Sequence, residues 1–316
     1  MKLIHILLLM FYMAFSSSVN AGNYSFHYYG NWGENKDCQY NFRPVISFVE
    51  VDSIDLEQQP PVPIEVKGKL KIPVRFSWDE GCILPGKNLP AVVILHGSAG
   101  IDSRGDFYAR ALNRAGIATL EIDMWEARNV KSLADRPSIP TINLPDAFAA
   151  LKFLSENEHI DPDRIGVMGF SWGGVVTMAS AMQRSVDYFS NGIQFAAHIA
   201  HYPECYAYNN PRIPGSTFSD LTGAPILIQI GDKDDYDEGA DACIDMKNNL
   251  SSQDKKNIRI ITYKNTFHGW DRLEVPTTAI DPFSHLGAGG EVRIVPDVKK
   301  AYKSRRRAVW FFKRHL

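Results

Sequence analysis

The chain has 316 residues, room for one large domain or two ordinary ones, and its 45% apolar and 22% charged residues exclude wholesale disorder, collagen-like repeats and coiled coil. Lys and Arg total 34 against 36 Asp and Glu, a formal net charge of -2 that gives no reason to expect a nucleic acid as partner. Four cysteines are too few for a disulfide-dense scaffold.

The N-terminus reads as a secretory signal peptide. Lys2 precedes the apolar run Leu3–Phe15, and Val19-Asn20-Ala21 closes it with a small-x-small cleavage pattern. A thirteen-residue run spans only about 20 Å as a helix, too short to anchor in a bilayer. Cleavage after Ala21 leaves 295 residues with a formal charge of -3. No later segment has the uninterrupted apolar length of a membrane span, so stable membrane insertion is not expected, and the mature chain is expected to be periplasmic or secreted. Cys38, Cys82, Cys205 and Cys243 would then sit in an oxidising compartment, where three pairings are open to them. No C-x-x-C or close Cys/His pair suggests a metal.

Residues 22–61 look like an irregular N-terminal extension. Residues 62–76 partly alternate, as a half-exposed antiparallel strand or hairpin does. The apolar runs Ala91–Leu95, Ile117–Ile122, Ile165–Phe170, Phe195–Ala200 and Pro225–Ile230 have the continuous character of strands buried on both faces, and 258–263 reads as a sixth. Helical spacing falls between them, over 103–115, 144–156, 173–184 and 239–250, with a last helix over 298–314. Strand–helix alternation predicts a mostly parallel sheet flanked by helices on both faces, and with no linker or repeat we read 62–316 as one α/β domain.

Gly169-Phe170-Ser171-Trp172-Gly173-Gly174 contains G-x-S-x-G between an apolar strand and a small-residue helix. That is the context of a nucleophile elbow, in which a tight turn exposes the serine Oγ at the carboxyl edge of the sheet. A serine nucleophile needs a base, and the base an orienting carboxylate, in the chain order Ser, acid, His. His268 follows the strand at 258–263 after a short loop and is the candidate base. His201 is its rival, while His198 within a strand reads as core and His96 as shaping its turn. The acid falls in Gly231-Asp232-Lys233-Asp234-Asp235, where Asp234 is preferred and Asp235 is the fallback. An oxyanion hole needs two backbone N–H groups. Trp172, after the nucleophile, and Ser98, in His96-Gly97-Ser98-Ala99-Gly100, are the candidates. This chemistry calls for no metal and no organic cofactor.

With these motifs the sequence resembles the dienelactone hydrolase family of the α/β-hydrolase superfamily, over most of 62–316. The resemblance is carried by Pro90–Gly97, Asp161–Gly166, Gly169–Gly174, Gly231–Asp235, Phe267-His268-Gly269-Trp270 and the closing Phe311–Leu316. It implies the α/β-hydrolase fold and maps nucleophile, acid and base onto Ser171, Asp234 and His268. The dienelactone-opening members use cysteine where this chain has Ser171, and a glutamate where it has Gly97. The expected activity is therefore that of a serine-nucleophile variant, a general esterase acting on a small ester or lactone. The resemblance further implies that Arg128, within Asp123–Arg128, meets a substrate carboxylate, with Trp125 as a wall. It also implies the disulfide Cys205–Cys243, which leaves Cys38 with Cys82. Peptidases and acyltransferases use the same triad, and a non-catalytic binding protein could keep the scaffold. The basic stretch Lys299–Arg314 reads as the solvated face of a helix whose Tyr302, Val309 and Phe312 point to the core.

Overall fold

Continuous apolar runs need two covered faces, and the chain supplies them by alternating strands with helices. The computed structural model describes residues 44–77, 81–83, 88–190, 192–213 and 216–316. The strands are β1 (Val45–Asp55), β2 (Val62–Ile72), the small hairpin β3 (Arg75–Ser77) and β4 (Gly81–Ile83), β5 (Leu89–Leu95), β6 (Ala118–Ile122), β7 (Ile160–Phe170), β8 (Ala197–His201), β9 (Ile226–Gly231), β10 (Ile258–Tyr263), β11 (Thr277–Asp281) and β12 (Gly290–Ile294). Between them lie α1 (Ser103–Arg114), α2 (Leu144–Ser155), α3 (Trp172–Ser180), α4 (Gln183–Phe189), α5 (Asp241–Asn248) and α6 (Ser252–Asn257), and α7 (Val298–His315) closes the chain.

Eight strands form the central sheet in the order β1-β2-β6-β5-β7-β8-β9-β10. From β6 to β10 every pairing is parallel, whereas β2 joins β6, and β1 joins β2, antiparallel. This is the mostly parallel α/β-hydrolase sheet. The polypeptide leaves β5, β6, β7, β8, β9 and β10 at one edge, so His96–Gly100, Asp123–Trp125, Ser171, Tyr202, Asp232–Tyr236 and Phe267–Gly269 all follow strand ends there. The five strands read as buried on both faces are so, with β6, β8 and β9 buried along their whole lengths.

Three readings need correction. Residues 45–55, placed in an irregular extension, form an eleven-residue edge strand with continuous register against β2. Its alternation is hidden in the sequence because Ile46, Phe48 and Ile54 on the outer face are as apolar as Val49 and Val51 on the inner one. Second, residues 264–297, where the sequence pattern indicates no element, contain the separate hairpin β11–β12. Third, Tyr302 of α7 is 47% exposed and not in the core. The inward row is Ala301, Ser304, Ala308, Phe311 and Phe312, and Tyr302 sits one position off it, edge-on to Phe107. The signal segment 1–21 and the Cys38–Cys82 pair lie outside the described side chains.

Candidate active site

Ser171 sits between the last residue of β7 and the first of α3, with φ 51° and ψ -114°, a left-handed conformation that disfavours any residue with a Cβ. The neighbouring glycines let the chain turn so tightly. A Cβ on Gly169 would lie 2.0 Å from the Gly173 carbonyl oxygen, and one on Gly173 would lie 2.4 Å from that of Leu95. The spacing G-x-S-x-G is thus a steric requirement of this turn.

His268 and Asp234 meet beside it. His268 is 4% exposed and Asp234 1%. His268 Nδ1 donates to Asp234 Oδ2 at 2.8 Å. A carboxylate only accepts, so this bond fixes the proton on Nδ1 and leaves Nε2 with a free lone pair. Asp234 Oδ1 accepts from the Tyr236 N–H at 3.0 Å, so both carboxylate oxygens are held, one by the ring and one by the backbone. Two tyrosines pack against the imidazole, Tyr202 at 4.5 Å and Tyr236 at 4.4 Å between ring centres. Asp235 faces elsewhere. It accepts from the Arg293 N–H, Nε and Nη2 at 2.8, 3.0 and 2.5 Å, and so ties the β11–β12 hairpin to the acid-bearing loop.

Of the other histidines, His96 is locked: its Nδ1 donates to the Gly97 carbonyl at 2.8 Å and its Nε2 accepts the Met124 N–H at 2.9 Å. His201 is fully buried with its Nε2 against Gln229. Burial pushes its pKa down to about 4, and that of His198 down to about 3, so both are neutral packing residues.

Ser171 and His268 open onto one cavity of about 360 Å³. Its lining includes Gly97, Ser98 and Ala99 of the loop after β5. Among the described residues, neither the Ser98 N–H nor the Trp172 N–H makes a hydrogen bond, and the next amide, Gly173, donates to the His96 carbonyl at 3.1 Å. Trp125 lines the cavity, with its Nε1 donating to the Ser98 carbonyl at 3.1 Å and so bracing that loop.

Arg128 is not in the cavity. Its side chain is 4% exposed and holds Asp146 through Nη1 at 2.8 Å and Nη2 at 3.1 Å, with Asp55 of β1 at 3.4 Å. Asp146, inaccessible to solvent, also accepts from Ser53 and Asn143. Arg128 therefore pins the edge strand to α2, and its substrate role is withdrawn. The cations that do line the cavity are Arg104, Lys131 and Arg272. Arg104 and Arg272 share Asp102, at 2.6 and 3.5 Å. Burial works to raise the Asp102 carboxyl, but Arg104 overcomes it and the group stays below the ordinary carboxylate range.

Reading by sequence missed part of the cavity wall. Thr277, Thr278 and Ala279 of β11 and Ile294 of β12 line the cavity, and Asp281 at the end of β11 is held by Arg136 at 3.0 Å. The Arg136 guanidinium in turn lies 5.3 Å over the Trp172 ring. The usable signal was the turn Gly287-Ala288-Gly289-Gly290, flanked by short alternating runs. Behind the acid, Glu204 is buried in a left-handed conformation. Burial, then Asp281 and Asp237, push its carboxyl well above the usual range. Cys205 and Cys243 form a disulfide joining the loop after β8 to α5. Their sulfurs and the Asp237 carboxylate lie within 4.8 Å of one another, but with both sulfurs bonded to each other this trio lacks the thiolates a metal would need.

The dienelactone hydrolase family model matches residues 82–316. A Bradyrhizobium protein named "probable 2-oxo-3-(5-oxofuran-2-ylidene)propanoate lactonase" is 27% identical over 156 residues, covering 47% of this chain and 60% of that protein. An uncharacterized Pseudomonas aeruginosa protein is 34% identical over 111 residues, covering 32% of this chain and 28% of that protein. The chain thus spans less than two thirds of these relatives. Among solved structures, a dienelactone hydrolase-like promiscuous phosphotriesterase from metagenomic libraries aligns with TM-score 0.56 at 19% identity, covering 85% of this chain and 98% of that one. An esterase of Pyrobaculum calidifontis aligns with TM-score 0.54 at 16% identity, covering 86% and 87%. At these identities the structures speak for the fold.

Proposed function

We propose, given that the chain belongs to the dienelactone hydrolase family, that it is an exported serine hydrolase cleaving small carboxylic esters or lactones. One observation carries this reading: His268, its tautomer fixed by Asp234 at 2.8 Å, opens onto the same cavity as the strained Ser171.

The reaction follows from those positions. His268 Nε2 takes the Ser171 hydroxyl proton as Oγ attacks the substrate carbonyl carbon. The carbonyl oxygen, now carrying the charge, is met by the Ser98 and Trp172 N–H groups. Asp234 stabilises the imidazolium, which gives its proton to the departing alkoxide. The alcohol leaves, or in a lactone stays tethered. A water molecule, deprotonated by His268, then cleaves the acyl-enzyme, and the carboxylic acid departs as Ser171 regains its proton. A cavity of about 360 Å³ supports small substrates.

The mature protein should turn over p-nitrophenyl acetate and be labelled by a fluorophosphonate, and Ser171→Ala should do neither. Folded wild type that resists the label, or a Ser171→Ala variant that keeps its turnover, rejects the mechanism. Export has a separate readout: N-terminal sequencing of protein recovered outside the cytoplasm should begin at Gly22, and a start at Met1 counts against it.

A further inference from the structure

Helix α7 carries a charged surface that the reaction does not use. Between Val298 and Leu316 stand eight Lys and Arg and no Asp or Glu, a formal +8, while the rest of the chain carries -10. At about 100° per residue, Lys299, Lys303, Arg306, Trp310 and Lys313 fall within an arc of about 80°, and all five are exposed. Tyr302 and Arg314 border the arc. The buried row Ala301, Ser304, Ala308, Phe311 and Phe312 lies on the opposite side, so the helix is docked by one face and bare on the other.

Two features distinguish this face from an ordinary solvated one. Its cations are not neutralised: among the described residues no carboxylate pairs with Lys299, Lys303, Arg306 or Lys313, whereas Lys300, off the arc, pairs with Asp297 at 2.7 Å. Arg114, exposed on α1, adds a further like charge near Arg305. And two large aromatic rings are left in water among the cations, Trp310 at 53% and Tyr302 at 47% exposure. Arg314 lies 5.6 Å over Trp310 and Arg305 4.5 Å over Tyr302, which covers part of each ring and leaves the rest of it bare.

We propose that this face of α7 docks the protein on an anionic lipid surface. A straight helix lays its arc along a plane. Lys and Arg stems reach outward from it with their charges at lipid phosphates, while Trp and Tyr settle at the headgroup level. Rings about 12 Å apart along the helix, by its rise per residue, suit that plane better than they suit stacking on successive bases. No described helix is long and apolar enough to cross a bilayer, so the contact is peripheral.

The test is flotation of the full mature protein with vesicles of phosphatidylcholine alone or with about a third phosphatidylglycerol. Wild type should float with the anionic vesicles only, and salt of about 0.5 M should release it. The combined variant Lys303→Glu, Arg306→Glu, Lys313→Glu should partition at least about a hundred-fold more weakly, and Trp310→Ser should bind more weakly than wild type. All four positions lie outside the cavity, so p-nitrophenyl acetate turnover should be unchanged in both variants. Equal binding to both vesicle types, or anionic binding unchanged in the triple variant, overturns the proposal. It is also overturned if wild type prefers heparin or a DNA duplex to vesicles and Trp310→Ser makes no difference, since that describes a site for soluble polyanions.

Discussion

Asp234 and Asp235 are adjacent, both buried and both carboxylates, yet their replacement by Asn should have opposite consequences. In Asp234→Asn the Tyr236 N–H still needs an acceptor, so the amide oxygen takes the place of Oδ1 and the amide NH2 turns to His268 Nδ1. That nitrogen must then accept, its proton moves to Nε2, and the lone pair facing Ser171 is lost. The loss expected for a mis-set tautomer is about 10⁴-fold in kcat, or about 5 kcal/mol of transition-state stabilisation. Thermal stability should change little, since a buried hydrogen bond remains. Asp235→Asn weakens three bonds to Arg293, whose side chain is half exposed. About 1–2 kcal/mol of stability should go with them, and kcat should stay within about threefold of wild type. Steady-state p-nitrophenyl acetate hydrolysis, with thermal unfolding alongside, separates the two. If Asp235→Asn loses as much kcat as Asp234→Asn while both stay folded, the assignment of the acid is wrong.

Arg128→Leu should cost about 3–5 kcal/mol in urea unfolding, because Asp146 is left charged and inaccessible, yet should leave KM for a neutral ester unchanged; a KM effect without a stability effect would restore Arg128 to the substrate site. Gly173→Ala brings a Cβ to 2.4 Å of a backbone oxygen and should abolish fluorophosphonate labelling even in whatever fraction folds; wild-type labelling would mean the elbow is looser than described. Burial, and then Asp234, push Asp237 up to about 7, so the folded protein keeps this proton where the unfolded chain has released it at about 3.8. Its stabilising contribution is complete below the unfolded value and is lost as pH rises through about 7, about 2 kcal/mol of it between pH 5.5 and 8.0. Urea unfolding of Asp237→Asn should show a pH dependence flatter by that amount, and an unchanged slope would refute it.

What could be read in advance followed from local constraints. Strands covered on both faces announce themselves as apolar runs, and Ser171 was legible because a turn that brings Gly173 against Leu95 tolerates so few residues. His268 was legible from its place after a strand. The acid stayed ambiguous between neighbours because only the partners, His268 for one and Arg293 for the other, tell them apart. Arg128 was misplaced for the same reason: a long side chain can turn outward to a substrate or inward to Asp146, and chain order carries no information on which. The wall formed by β11 and β12 escaped notice because its strands are five residues each and mostly exposed, so no apolar run marks them.

The pairing of β1 with β2, and of β2 with β6, sets where this molecule can be cut. Likeness to the family starts at residue 82, but a fragment started there would strip two strands from the sheet. The bared edge of β6 would offer unpaired amides and carbonyls to any strand it met. Asp146 would lose Ser53, and Arg128 its second carboxylate. The smallest autonomous unit therefore begins at or before Val45, and shorter fragments should collect as aggregate although every residue of the candidate triad is retained.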